Sequence, residues 1–380
     1  MLTGDQALTD FIRRAIRQNG PVSFAWFMEQ ALYHPELGYY SSGRCVIGRG
    51  GDYFTNVSVG PLFGRLLAAQ FVEMWELLGR PGDFVIVEQG AHQGDFARDV
   101  LGALRERAPV FFSTLRYCII EPFPVLQQRQ TEALRDFSEK LVWKKSLADL
   151  EPFCGVHFSN ELLDAMPVHL IIRTETGWQE RYVVEAGDGF GFITAPITDA
   201  ELCRHLETIP QHLTEPYETE ANLAALKWME QLAPKLTRGY ILAVDYGHSR
   251  ESYYAPERRS GTLRSYAGHR VRSPLTEVGA TDITAHVDWT SVAERAEKCG
   301  LSLLGFADQH HFITGLLSGP GQTEVTEENG RRAGRALATL LHPEFLGTSF
   351  QFLVLAKNTS AASLSALSFA RDIRVELGLK

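Results

Sequence analysis

The residues best able to do chemistry gather where apolar runs end. The run Phe84 to Val87 passes directly into Glu88-Gln89-Gly90-Ala91-His92-Gln93-Gly94, an acidic residue and two glycines where a strand gives way to a helix. Free backbone N–H groups at the start of such a helix can receive a carboxylate or phosphate. Glycine lets the backbone approach that anion closely. A second run, Tyr117 to Ile120, ends in Glu121, placed to accept hydrogen bonds from both hydroxyls of a ribose. The two ends predict a nucleoside ligand held by Glu88, Gly90, Ala91, His92, Gly94 and Glu121, with Asn160 at the end of a further strand.

Other strand ends carry acids and histidines. Glu161 and Asp164 follow the run Gly155 to Phe158 at i, i+3, on one face if that turn is helical. The run Tyr240 to Val244 ends in Asp245-Tyr246-Gly247-His248, and His286 with Asp288 forms a second acid–base candidate, since histidine changes charge near neutral pH. Lone histidines are more often structural, so both rank below Glu161. The i, i+2 spacing of His286 and Asp288 is poor for metal ligation, and no metal is predicted.

The elements that must position these residues follow from periodicity. Amphipathic patterns over 6–18 and 23–33, a Gly-rich polar segment 38–60 and a helix reaching about Leu78 suggest an N-terminal helical cap, 1–80. Strand and helix signals then alternate through 81–160, the first half of an α/β core with a parallel sheet. Short strands at His169 to Arg173, Gln179 to Val184 and Phe190 to Ala195 predict an antiparallel insertion, 161–215. The second half, 216–380, opens on a helix from about Glu220 to Leu236 and includes a loop at 247–285 expected to be mobile. About seven strands with helices on both faces are expected. In such a sheet the ligand lies beyond the carboxyl ends of the strands, where the strand order reverses.

Composition bounds the function. At 380 residues, 44% hydrophobic and 22% charged, the chain has enough apolar material for a large core. A net charge of -9 argues against nucleic acid or an anionic membrane as partner. One segment pulls the other way: Glu257 to Arg272 carries Arg258, Arg259, Arg264, Arg270 and Arg272 with Tyr266 and His269, and could grip phosphate. The overall charge favours a solvated lid loop instead, its arginines pairing with acids such as Glu277 and Asp282, and Gly261 and Gly268 letting it move. The five cysteines include no Cys-x-x-Cys pair, which suggests neither a disulfide framework nor a zinc site. No apolar run approaches the ~20 residues a bilayer needs, and no apolar segment with a cleavage site follows the first helix. A cytoplasmic chain is expected.

Several blocks occur in a specific order: Gly20-Pro21-Val22-Ser23, His34-Pro35-Glu36-Leu37-Gly38-Tyr39-Tyr40, Gly51-Asp52-Tyr53-Phe54-Thr55, Asn160-Glu161-Leu162-Leu163-Asp164-Ala165-Met166-Pro167-Val168-His169, Asp245-Tyr246-Gly247-His248, Gly261-Thr262-Leu263-Arg264, and Asp282-Ile283-Thr284-Ala285-His286-Val287-Asp288. On these blocks the sequence resembles the MidA/NDUFAF7 family of S-adenosylmethionine-dependent methyltransferases, mitochondrial complex I assembly factors and their bacterial relatives. The glycine spacing agrees: acidic-x-Gly-x-x-x-Gly fits a class I methyltransferase turn better than the Gly-x-Gly-x-x-Gly of dinucleotide binders.

The resemblance implies a class I, Rossmann-like methyltransferase fold, S-adenosyl-L-methionine as cofactor with S-adenosyl-L-homocysteine as product, and a protein arginine as acceptor. A planar guanidinium suits bidentate carboxylates, which makes Glu161 and Asp164 the leading clamp. Methyl transfer depends mostly on positioning, so few catalytic residues are needed. A protein partner is expected, nucleic acid and membrane are not, and a homodimer is compatible with the sequence without being required by it. The alternatives are a nucleic-acid or small-substrate methyltransferase, and a non-catalytic assembly protein that keeps the fold. Two departures bear on this. Where the family carries Gly-Pro-Gly-x-Gly in the cofactor turn, Ala91 replaces the proline and His92 the middle glycine; His92 either reshapes the methionine end of the pocket or points to solvent. After Thr55, the usual Ser-Pro-Glu is Asn56-Val57-Ser58, which removes a carboxylate.

Overall fold

A computed structural model describes residues 4–43, 56–267, 270–322, 330–359 and 363–380. The block 51–55 and the pair Gly268 and His269 therefore lie outside the described residues. The chain forms two compact units, one from 55–162, 228–247 and 289–380 and the other from 1–54, 163–227 and 248–288.

The first unit is built on seven strands: β1 Phe84–Gln89, β2 Arg116–Ile120, β3 Leu141–Lys144, β4 Phe153–Asn160, β5 Leu236–His248, β6 Ser302–Asp308 and β7 Phe350–Lys357. Their order across the sheet is β6-β7-β5-β4-β1-β2-β3. β1 to β5 run parallel, and β7 is antiparallel to both of its neighbours. Central strands covered on both faces need continuous apolar runs rather than alternation, and Phe84 to Val87 meets that need with all four residues buried. Helices Leu62–Leu77 and Asp95–Arg107 cover one face, and the rings of Phe96 and Phe158 stack there with centroids 4.2 Å apart. The strand order reverses between β1 and β4, which opens the crevice expected of a doubly wound sheet. This is the Rossmann-like architecture read from the sequence.

The periodicity missed helix Gln309–Leu317, whose N-cap Asp308 accepts the His311 N–H at 2.9 Å. A further helix spans Gly330–Leu341.

In the second unit, strands Val22–Ser23, Gly177–Ala186, His169–Thr174 and Tyr217–Ala221 lie in that order, with Gly189–Pro196 also paired to Gly177–Ala186. Every pairing is antiparallel. The helices Gln6–Asn19 and Phe24–Tyr33 belong to this unit; Leu8, Ile12, Phe24, Phe27 and Met28 share a core with Val168, Leu170 and Val183. The helix expected from Glu220 is corrected: Tyr217–Ala221 is a strand paired with His169–Thr174, and the helix begins at Leu223. The reason is local, because Tyr217, Thr219, Glu220 and Ala221 are all buried in the sheet. Within 247–285, strand Arg264–Ala267 pairs with Arg270–Val271 and with Asp282–Thr284. Among the described residues, no helix is long and apolar enough to cross a membrane.

Candidate active site

The turn after β1 is shaped by three left-handed residues, Gly90 at φ 85°, His92 at φ 46° and Gly94 at φ 84°. The Gly94 N–H donates to the Ala91 carbonyl at 2.8 Å and closes the turn. Gly94 is the N-cap of helix Asp95–Arg107 and brings no side chain to cap it, while the Asp95 carboxylate pairs outward with Arg98 at 2.7 Å. The first amides of the helix are thus left for an anion. The backbone at His92 favours glycine, because a β-carbon in the left-handed region costs roughly 1–2 kcal/mol; histidine is one of the few other residues enriched there.

Two carboxyl groups flank this turn. Glu88 is buried, its Oε2 accepts the Tyr117 hydroxyl at 2.7 Å, and burial pushes its pKa up to about 7. Glu121 is also buried, with its Oε1 accepting the Phe123 N–H and its Oε2 accepting Gln130 Nε2, each at 3.0 Å. Burial raises it to about 7 as well, against the pull of those two donors. Each carboxylate oxygen has two acceptor positions, so one on each remains for a pair of ribose hydroxyls. Gln130 is a residue the sequence reading missed. It is fully buried on helix Pro124–Ala133, and its Nε2 also donates to the His92 carbonyl at 2.9 Å. The only signal in the sequence was a polar residue on a helix beside a strand end.

The turn after β4 lies beside the first: a β-carbon built on Gly90 would stand 3.6 Å from Leu162 Cδ1. Asn160 donates through Nδ2 to Glu161 Oε1 at 2.9 Å and accepts Asn56 Nδ2 at 3.2 Å. The departure at Asn56 therefore places a buried amide against Asn160. Glu161 has φ 54° and donates its N–H to the Val244 carbonyl at 2.9 Å. A positive φ cannot occur in a right-handed helix, so the helical turn that would align Glu161 with Asp164 does not form. Asp245, fully buried, accepts the Leu162 N–H on Oδ2 at 3.1 Å and the Tyr246 N–H on Oδ1 at 2.8 Å. Its carboxylate holds the backbone around Glu161.

The remaining predicted residues lie in the second unit. Asp164 is buried, and its carbonyl accepts the Ala285 N–H at 2.9 Å. His248 Nε2 stands 3.1 Å from His286 Nδ1. Burial, reinforced by Arg258, lowers both rings to about 4, so at neutral pH both are uncharged and one N–H is shared between them. The His286 N–H donates to Thr262 Oγ1. Beneath it, the Glu220 carboxylate gathers the N–H groups of Thr262 and Leu263 and the hydroxyls of Thr262 and Tyr253. Glu220 was likewise missed, because the sequence placed it in a helix. Asp288 pairs with Arg250 at 3.8 Å. In the arginine-rich segment, Arg258 donates to the Ser252 carbonyl and Arg264 to the Leu263 carbonyl, while Asp282 accepts the Tyr40 hydroxyl at 2.7 Å. No group of three or more metal-ligating side chains occurs among the described residues.

A reversal of strand order, a left-handed turn opening a helix, and a buried carboxyl group at the next strand end form the setting for the comparisons. The family model for S-adenosyl-L-methionine-dependent methyltransferases matches residues 66–307. A crystal structure of a superfamily member from Burkholderia thailandensis, bound to S-adenosyl-homocysteine, has a TM-score of 0.87 and 30% identity, covering 97% of this chain and 96% of that one. The mitochondrial protein arginine methyltransferase NDUFAF7 homolog of Drosophila melanogaster is 28% identical over 95% of this chain and 87% of its own length. Mitochondrial protein arginine methyltransferase NDUFAF7 of Homo sapiens is 26% identical over 90% and 81%. The chain belongs to the S-adenosyl-L-methionine-dependent methyltransferases, in the MidA/NDUFAF7 family.

Proposed function

We propose that the chain methylates a protein arginine and that Glu161 receives the guanidinium. The reading is supported by the names of the relatives above, and the observation that carries it is the backbone of Glu161. A glutamate is held in the left-handed region, at the carboxyl end of β4 and at the switch point, by Asn160, the Val244 carbonyl and the Asp245 carboxylate behind Leu162. Strain of this kind persists where the surroundings enforce it and gathers at functional sites.

We assign the helix-start amides after Gly94 to the methionine carboxylate and Glu121 to the ribose diol, with Glu88, Gly90, Ala91, His92 and Asn160 lining the same pocket. When bound, S-adenosyl-L-methionine supplies an electrophilic methyl group on a sulfonium. The chain's own task is then to hold the acceptor nitrogen in line and to take up its proton. Histidines held near 4 are weak bases, so proton acceptance falls to the Glu161 carboxylate rather than to His248 or His286. Asp245 positions Glu161 rather than meeting substrate.

Transfer of a labelled methyl group to polypeptide tests the proposal. Glu161→Gln should abolish the label on protein while S-adenosylhomocysteine affinity is unchanged. Unchanged turnover in that variant would remove Glu161 from the reaction, and label on RNA or DNA would replace the acceptor.

A further inference from the structure

The two ends of the cofactor pocket are joined by one buried side chain. Gln130 Nε2 lies 2.9 Å from the His92 carbonyl and 3.0 Å from Glu121 Oε2, while its Oε1 accepts Trp143 Nε1 at 3.0 Å. The indole is donor only, so it fixes which way the carboxamide faces. The oxygen must meet Trp143, and the two N–H groups must meet the turn and the acid. We propose that Gln130, locked by Trp143, is the positioning residue that couples the turn Glu88–Gly94 to the ribose acid Glu121, so that one amide sets the reach of the pocket and favours ionised Glu121 over its protonated form. The inference rests on the assignment of that turn and Glu121 to the cofactor.

The physical argument turns on geometry. A carbonyl at His92 and a carboxylate at Glu121 would repel each other without a donor between them, and the two N–H groups of one carboxamide NH2 serve both. A residue that merely filled the space would leave the acid's proton affinity untouched. One that donates to the carboxylate stabilises its charged form. Trp143 acts by denying Gln130 the flipped orientation that would point Oε1 at Glu121.

The test is calorimetric titration of S-adenosylhomocysteine and of adenosine from pH 5.5 to 8.5. The proteins are the full chain, Gln130→Leu, Trp143→Phe and the double variant, with thermal melting to confirm folding. Gln130→Leu should weaken S-adenosylhomocysteine by roughly 10- to 100-fold and move the midpoint of its pH dependence upward. Adenosine should lose less, because it lacks the methionine end. Trp143→Phe should shift the midpoint in the same direction by a smaller amount and add nothing in the Gln130→Leu background. If the melted and refolded variants are native, then an unmoved pH midpoint, or losses that simply add, would overturn the proposal and leave Gln130 a packing residue. Failure of the unaltered chain to bind S-adenosylhomocysteine would instead overturn the cofactor assignment itself.

Discussion

Asp245 Oδ2 accepts the backbone N–H of Leu162 at 3.1 Å, so a buried carboxylate at the end of β5 fixes the turn that leaves β4. The other oxygen accepts the Tyr246 N–H. Removing the carboxylate would leave two amides without that acceptor, at about 1–3 kcal/mol for each that stays buried and unsatisfied. Asp245→Ala should therefore lower the free energy of unfolding by about 2 kcal/mol or more and reduce methyl transfer, since Glu161 loses its support. Asp245→Asn keeps one acceptor oxygen and should lose less of both. Denaturant unfolding and labelled transfer, run on the same preparations, check the pair of effects.

The left-handed backbone of Glu161 separates strain from chemistry. Glu161→Ala and Glu161→Gly both remove the carboxylate and the bond to Asn160, so both should lose transfer. They differ only in whether a β-carbon must occupy φ 54°. The glycine variant should be the more stable of the two by about 1 kcal/mol. Equal unfolding midpoints would mean that the turn relaxes freely and carries no strain.

His92 allows the same comparison with the opposite functional outcome. At φ 46° it occupies a backbone conformation that favours glycine, and the contact it makes to Gln130 is through its backbone carbonyl. His92→Gly should raise stability by about 1 kcal/mol and retain S-adenosylhomocysteine binding. A large loss of affinity would instead place the imidazole against the ligand.

The strands of the sheet were legible because strands covered on both faces are largely apolar: β1, β2, β5 and β7 each contain an unbroken apolar run, whereas β4 carries the fully buried His157 in its middle. Their termini supplied the candidate cofactor residues, since ligands of such folds lie at strand ends. The order β3-β2-β1-β4-β5-β7-β6 was not legible, because hydrophobic pattern says which segments are buried and not which lie side by side. Gln130 and Glu220 escaped for a shared reason. A buried polar residue looks like a surface residue until its partners are known, and those partners lie in other segments: His92, Glu121 and Trp143 for one, Thr262 and Leu263 for the other. The loop after β4 misled in its backbone, because nothing about a glutamate announces a positive φ.

Binding of S-adenosylhomocysteine should depend on pH through Glu121. Burial holds this acid at about 7, and under the proposed assignment ribose hydroxyls would donate to its ionised form. Affinity should be greatest above pH 7 and fall as the pH drops below it, by up to about tenfold per unit. Glu121→Gln cannot titrate and should bind weakly with a flatter profile. A wild-type profile that is level from pH 5.5 to 8.5 would remove Glu121 from the ribose.

The histidine pair should write its own signature on stability. In the unfolded chain these rings titrate near 6.5, whereas in the folded protein burial and Arg258 hold both His248 and His286 near 4. Between those values the unfolded state binds more protons, so stability rises with pH across that window. The contribution is fully present above 6.5 and is lost as pH falls toward 4. Glu88 and Glu121 act in the opposite sense, because acids held near 7 stabilise the fold when protonated, and that contribution disappears as pH rises from 4.5 through 7. The two families of groups are separable by substitution. A His248→Gln, His286→Gln double variant should lose less melting temperature between pH 6.5 and pH 5 than the unaltered chain does, with the limb between pH 6.5 and 8 unchanged. An acid limb as steep in the double variant as in the parent would show that the two rings are solvated and titrate as they do in the unfolded chain.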